Sequence, residues 1–577
     1  MARELTKVGV VGLGTTGTGL AGVLARAGVE VVGVDVDAEQ LAGAGALLDG
    51  LLGDDAEARG RVTTGGDLSA LSSVQLVVEA VPERLADKQS AFADIAGAVG
   101  EDVVIATSSY AIPVTSLAVG VARASRVVGL RLSPPGAGGG LLEVVRTVLV
   151  DTEVLADVEA LADRLSTARV TVADRPGALT TGLLFPYLND AVRMYEAGYA
   201  TKEDVDAAMR FGCGHPAGPL TLADSIGLDV VLDVLEALYA QTGDHLHAPA
   251  PLLRQYVSAG LLGTKTGRGI YTYDEAGKAV VEAGASAVTA EPREVRTIGV
   301  IGTGTMASGI VEVCAKAGYD VVFRARGEDK VAAVRKKVEG SLDKAVSRGK
   351  LAEDVRTETL SRITGTTEIS GLADCDLIIE AVVEDLAVKK QLFAELDGVL
   401  KQGAVLATTT SSLPVIECAT ATSRPQDVVG MHWFNPATAM KLVEVVPTVH
   451  TADDVVATVL AVCAKTKKHP VLCGDRAGFI VNALLFPYLN DAVLQLEDGV
   501  ATMDEIDLAM TSALGHPMGP FALIDVVGMD VTLAIQQVLH AEFREPGHEP
   551  AMSLAALVQA GHLGRKTGRG FRDYSKR

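Results

Sequence analysis

The sequence predicts an α/β protein built from two tandem copies of one unit, each a parallel sheet layered with helices and followed by an all-helical domain. Three observations predict it. Residues 183–192 and 484–493 both read LLFPYLNDAV, and the same offset of 301 relates GHPAGP (214–219) to GHPMGP (515–520) and KTGRG (265–269) to KTGRG (566–570). A fixed offset over so long a span marks duplication of a whole unit. Each copy also opens on strand, helix, strand: KVGVVG, TGLAGVLARAG and VEVVGVD in the first, RTIGVIGTGTMASGIVEVCAKAGYDVVFRAR in the second. Finally, further strand-like runs follow in each copy and then stop. These are QLVVEAVP, DVVIATSS and VVGLRLS in the first, DLIIEAVV, GAVLATTT and VVGMHWF in the second, and helical periodicity takes over after residues 175 and 476.

These patterns divide the chain into a sheet domain at 1–174, a helical domain at 175–273, a small, polar linker at 274–293, a second sheet domain at 294–475 and a second helical domain at 476–577. The copies differ most after their second strand. Asp35 to Glu79 spans 44 positions and Ala325 to Glu380 spans 55, so the second copy has eleven extra residues in the helical stretch VEGSLDKAVSRGKLAEDV.

Composition excludes several classes of function. A length of 577 residues with 48% apolar content supports several packed domains. A net charge of −22 repels nucleic acid and anionic membranes, so a phosphate-bearing ligand needs locally placed cations. No apolar run reaches the ~18–20 residues of a membrane span. The opening MARELTKVGVVGLG enters a strand pattern at once and lacks the regions of a signal peptide, so a cytoplasmic protein is expected. Six scattered cysteines without CxxC spacing fit reduced thiols and argue against a disulfide or metal framework.

Gly12-Leu13-Gly14-Thr15-Thr16-Gly17 is a GxGxxG between a strand and a helix. In that setting the glycines Gly12, Gly14 and Gly17 let the backbone approach a pyrophosphate at the helix N-terminus, and each sheet domain reads as Rossmann-like. Asp35, at the end of the next strand, suits the hydroxyls of an adenosine ribose, as in NAD(H). The second copy reads Gly302-Thr303-Gly304-Thr305-Met306-Ala307, and its aspartate is replaced by Ala325 between Arg324 and Arg326. Loss of a carboxylate beside added cations suits a 2′-phosphate, so this copy is expected to favour NADP(H), with Arg326 the better placed arginine. The alternative is a pair of solvated strand-end charges and a pocket that takes either cofactor.

Gly430-Met431-His432-Trp433-Phe434-Asn435-Pro436, followed by Met440-Lys441-Leu442-Val443-Glu444-Val445-Val446, resembles the signature of L-3-hydroxyacyl-CoA dehydrogenases. Thr408-Thr409-Thr410-Ser411-Ser412-Leu413 resembles the family's serine segment and Gly478-Phe479-Ile480-Val481-Asn482 its asparagine segment. Bacterial 3-hydroxybutyryl-CoA dehydrogenases are the nearest subgroup by these motifs. The resemblance implies hydride exchange between a nicotinamide and the 3-position of an acyl-CoA, with helical domains that pair. It implies that His432 is general acid/base, that Glu444 holds its ring, and that Ser411 and Asn482 hydrogen-bond the reacting oxygen. Ser411 would also touch substrate. Asn435, Glu384, Lys389 and Lys566 match family positions near the cofactor, and Ser341 and Arg348 match a CoA-contacting helix. The other possibility for Glu384, Lys389 and Lys566 is an ordinary helix-start carboxylate and surface lysines. Ala483 departs from an arginine common after the asparagine.

Aligned on the offset of 301, the first copy puts Tyr110 opposite Ser411, Arg131 opposite His432, Pro134 opposite Asn435 and Thr181 opposite Asn482, while Glu143 matches Glu444. Arginine, with a pKa above ~12, exchanges no proton near neutrality. The first copy is therefore expected to be catalytically silent, to bind NAD(H) still, and to supply a helical partner surface. A changed chemistry through Tyr110 or Arg131 is the rival. For the second copy, a 3-hydroxyadipyl-CoA or other 3-hydroxyacyl-CoA dehydrogenase is the alternative within enzymes. A nucleotide-binding scaffold is the alternative outside them.

Overall fold

The computed structural model describes residues 2–133, 140–165, 168–280 and 288–575. Each half is built on an eight-stranded sheet. In chain order the strands run 3-2-1-4-5-6-7-8 across the sheet, and both sheets have the same order. Neighbours are parallel except the sixth and seventh strands, which are antiparallel: Val127–Leu132 with Leu141–Arg146, and Val428–Trp433 with Leu442–Pro447. The opening strands Lys7–Val11 and Thr297–Ile301 are buried over four of five residues. Such continuous β-branched runs fit strands covered on both faces. Three strands in each half escape simple inspection of apolar runs: Val62–Gly65, Leu141–Arg146 and Ala168–Ala173, with Ile363–Thr366, Leu442–Pro447 and His469–Leu472. The first is short and half exposed, and the second carries a glutamate mid-strand.

The length difference between copies is shared by two helices. Ala38–Leu52 has 15 residues where Glu328–Ser347 has 20, and Ala56–Gly60 has five where Glu353–Ser361 has nine. The stretch read as a linker is partly ordered: Ala279–Val280 pairs with Thr272–Tyr273, and Arg293 is held by Asp427 and Asp454, each at 2.8 Å. Pairing and charge thus pin both ends of a segment whose composition suggested none. Residues 281–287 of it, and Pro134, lie outside the described residues.

The duplicated decapeptides lie in the helices Thr180–Glu196 and Val481–Glu497, which pack on each other across a pseudo-two-fold axis. Two equivalent bonds cross between halves. Ala173 N donates to Val500 O at 3.0 Å, and Gly474 N donates to Tyr199 O at 3.3 Å. A single core therefore joins the helical layers of both halves to one face of each sheet, whereas the two outer faces form separate cores. The symmetry is incomplete. Gln495 donates to Leu179 O at 3.2 Å and lies only 2.8 Å from where a side chain on Gly182 would begin. Across the axis, Met194 and Ala483 take those two places and border a half-open cavity of about 290 Å³. Among the described residues no single helix is long and apolar enough to cross a membrane.

At the axis His215 and His516 stack with ring centroids 3.8 Å apart and planes 7° apart, and each Nδ1 lies 3.4 Å from a tyrosine hydroxyl, Tyr187 or Tyr488. Burial lowers His215 from 6.5 to about 4, and burial together with His215 holds His516 well below its ordinary value. A base whose folded pKa is depressed contributes stability that is complete above the unfolded value and is lost as pH falls from 6.5 towards about 4. The thermal midpoint is expected to drop as pH falls from about 7 to about 5. The His215→Gln/His516→Gln double variant should show a shallower drop. An unchanged slope would remove the stacked pair as its cause.

Candidate active site

Strand register creates the centre of the site. His432 and Glu444 face each other on the antiparallel pair, and His432 Nδ1 lies 2.6 Å from Glu444 Oε2. The other carboxylate oxygen accepts from Ile480 N and Val481 N, both at 2.9 Å. Those amides open the helix Val481–Glu497, and the turn before it holds Phe479 at φ 49°, uncommon for a residue with a side chain. Glu444 is fully buried, and three charge-assisted contacts offset its desolvation. Its grip fixes the ring through Nδ1 and leaves Nε2 for a proton in transit. Phe434 and Phe479 flank the imidazole with centroids 4.5 and 5.6 Å away.

Asn482 Nδ2 donates to Ser411 O at 3.3 Å, which joins the asparagine and serine segments. Glu384 organises the serine loop. Its Oε1 accepts from Thr410 Oγ1 at 2.6 Å, Ser411 N at 2.9 Å and Ser411 Oγ at 3.3 Å, and Lys389 lies 3.4 Å from Oε2. Burial pushes the Glu384 carboxyl up, but Lys389 and these hydrogen bonds outweigh it and hold the group below its ordinary value. Lys389 is 1% exposed and bonds both oxygens of the buried Glu380 at 2.8 and 2.9 Å. Glu384 and Lys389 are thus neither an ordinary helix-start carboxylate nor a surface lysine.

Sequence reasoning overlooked Glu380 and Lys468. Lys468 donates to Ala437 O at 2.5 Å and Met440 O at 2.6 Å, tying down the loop that carries Asn435. The retained Glu-Ala-Val after the fourth strand of each copy was the available signal for Glu380. Asn435 is exposed beside its cis peptide bond to Pro436. Ser341 and Arg348 are exposed at the end of Glu328–Ser347. Lys566 lies in the helical layer against Asp530, and the contacts joining His432, Glu444, Ser411 and Asn482 do not include it.

Both glycine loops fit a dinucleotide. A side chain at Gly12 would begin 2.7 Å from Ala80 backbone, and at Gly302 2.3 Å from Ala381 O, so these positions pack the loop against the sheet. Gly14 and Gly304 have open space instead, where a pyrophosphate can approach the starts of the helices Thr15–Arg26 and Thr305–Lys316. Gly17 allows the helix to cross Gly12 O closely, and Thr305 and Met306 begin the second helix. Asp35 accepts from Leu13 N at 2.7 Å, which fixes its carboxylate beside the loop. Ala325 is buried, Arg324 Nε donates to Thr367 O at 3.3 Å, and Arg326 is exposed.

The corresponding cleft of the first half is built differently. Arg131 is 2% exposed and approaches Glu143 only to 3.8 Å, while Glu143 accepts from Thr180 N at 2.8 Å. Tyr110 is buried with its hydroxyl donating to Leu132 O at 3.3 Å, and burial pushes that hydroxyl up to about 12. That hydroxyl gives up no proton readily near neutrality. Thr181 is buried in the place of Asn482.

A dinucleotide loop and, on the same sheet, an imidazole gripped by a buried carboxylate are the equipment of a nicotinamide-dependent oxidoreductase. The chain belongs to the 3-hydroxyacyl-CoA dehydrogenase family: the model of its NAD binding domain matches residues 7–175 and 297–476, and that of its C-terminal domain matches 177–273 and 478–574. A 3-hydroxybutyryl-CoA dehydrogenase of Mycobacterium tuberculosis is 46% identical over 283 residues, covering 48% of this chain and 99% of that protein. The human mitochondrial hydroxyacyl-coenzyme A dehydrogenase is 39% identical over 305 residues, covering 52% of this chain and 97% of its own. The crystal structure of a 3-hydroxybutyryl-CoA dehydrogenase from Escherichia coli K12 shares the fold over 97% of this chain and 100% of its own, with a TM-score of 0.64 and 22% identity.

The Glu380–Lys389 pair yields a prediction. Removing one partner strands a buried charge, so Lys389→Met is expected to cost about 3–5 kcal/mol in chemical denaturation. The Glu380→Gln/Lys389→Met double variant should recover much of that. A double variant as unstable as the single one would show that the pair is not coupled.

Proposed function

We propose that the second half is the working 3-hydroxyacyl-CoA dehydrogenase of the chain, acting on acetoacetyl-CoA and (S)-3-hydroxybutyryl-CoA, and that the first half is silent in this reaction. The observation that carries the reading is the 2.6 Å contact between His432 and Glu444, against an arginine that meets Glu143 only at 3.8 Å. A bound nicotinamide supplies the hydride acceptor or donor. His432 takes the hydroxyl proton at Nε2 during oxidation and returns it during reduction. Glu444 sets the ring's orientation and balances the imidazolium. Ser411 and Asn482 hold the reacting oxygen, and Glu384 keeps the serine in place. Ser341 and Arg348 receive the CoA end, on the helix that the first half shortens. Asn435, Lys389 and Lys566 complete the cofactor side.

Arg326 beside Ala325 favours NADP(H) in the second half, and Asp35 favours NAD(H) in the first. The names of the relatives support the short acyl chain. The first half also supplies, within one chain, the helical partner that the second half requires.

Acetoacetyl-CoA reduction followed at the nicotinamide absorbance band tests the assignment. His432→Ala should lose at least about 10²-fold in kcat, the lower range of general acid–base contributions. Arg131→Ala should keep the parent rate. NADPH should be preferred, with Ala325→Asp shifting the preference to NADH. Full activity in His432→Ala would move the chemistry elsewhere. Residues 294–577 expressed alone should self-associate through the uncovered helix Val481–Glu497. A monomeric fragment with full activity would overturn the partner role of the first half.

A further inference from the structure

Buried side-chain nitrogens are nearly always hydrogen-bonded. Arg131 is buried, yet its Nε, Nη1 and Nη2 all lack a hydrogen-bond partner among the described residues. Its charge is met by Glu143 at 3.8 Å, and that carboxylate uses its other oxygen on Thr180 N. Arg131 pairs in register with Glu143 as His432 pairs with Glu444. The guanidinium therefore stands at the register position of the imidazole, which the reading above sets beside the reacting end of a nicotinamide.

The glutamate–lysine cluster is alike in the two halves, although Arg84 follows Glu83 where Asp385 follows Glu384. Lys88 lies 2.9 Å from Glu79 and 3.5 Å from Glu83, and Lys389 lies 2.8 Å from Glu380 and 3.4 Å from Glu384. What differs at the register position of His432 is one permanent cation in place of a titratable ring. An oxidised nicotinamide ring is itself a cation, and a dihydronicotinamide ring is neutral. A fixed, incompletely neutralised guanidinium in a low-dielectric cleft repels the first and tolerates the second.

We infer that the first-half cleft is a binding site selective for reduced dinucleotide, taking NADH in preference to NAD⁺ and releasing it unchanged. The inference rests on the reading above that this half binds a dinucleotide. The open approach at Gly14 and the carboxylate of Asp35 beside the loop receive the phosphates and ribose. Buried Arg131, Tyr110 and Thr181 occupy the places of the proton-exchanging and substrate-holding groups. The site thus reports the reduced state of the cofactor pool and leaves turnover to the other half.

The test uses the full chain carrying Gly304→Glu, which puts a carboxylate in the open approach of the second loop and leaves the first loop as the site measured. NADH is titrated by its fluorescence, and NAD⁺ by displacement of NADH. NADH is expected to bind at least about tenfold more tightly than NAD⁺, equivalent to about 1.4 kcal/mol. Arg131→His should bring the ratio toward that of the second half, measured in Gly14→Glu with whichever dinucleotide pair it binds. Equal affinity for NAD⁺ and NADH overturns the inference, as does a ratio unchanged in Arg131→His. If neither form binds to Gly304→Glu while Gly14→Glu binds normally, the dinucleotide reading of the first half fails, and the selectivity fails with it.

Discussion

One buried carboxylate ties the sheet of the second half to its helical layer. Glu444 reaches sideways to His432 within the sheet and outward to the first amides of a helix in the next layer. A fully desolvated charge is costly unless its acceptor sites are filled, so the imidazole, the strand and the helix N-terminus are each held where they fill them. The site is precise because the sheet and the helical layer cannot shift apart without stranding that charge. Glu143 performs the same bridging in the first half with fewer partners. This explains how a half without the imidazole keeps the fold: the interlayer bond does not depend on it.

Much of this was legible in the sequence. Repeated decapeptides disclosed the duplication, glycine spacing disclosed both loops, and the twelve-residue separation of His432 from Glu444 is spanned by the hairpin-like antiparallel pair that joins them. What was hidden depends on three-dimensional neighbours. Lys389 looks like any helical lysine in VVEDLAVKK, and only the fold shows that it is buried on Glu380. Lys468 has no motif and acts through carbonyls 28 and 31 residues away. The edge strands Val62–Gly65 and Ile363–Thr366 are too short and too polar to stand out. One end of the linker is ordered by ion pairs from Arg293 to residues more than a hundred positions distant, the other by a short strand pairing.

Sequence comparison of the halves shows which residues differ, and the structure shows what the differences do. Replacing serine by Tyr110 and histidine by Arg131 fills the cleft with large side chains, and the glutamate–lysine–threonine cluster beneath it is unchanged. Further changes lie at Asp35 against Ala325 and in the two shortened helices. The support beneath the dinucleotide loop has been kept in both halves.

The unequal cavity beside the axis has a consequence for how such a chain evolves. A homodimer is encoded once, so every substitution at its interface is made on both sides, and each face must remain complementary to itself. Here the two faces have separate codons. Gly182 could shrink beneath Gln495 while Ala483 opposed Met194, and neither change had to suit its mirror position. Fusion has converted a symmetric contact into two independently inherited surfaces, free to diverge for as long as the chain stays whole.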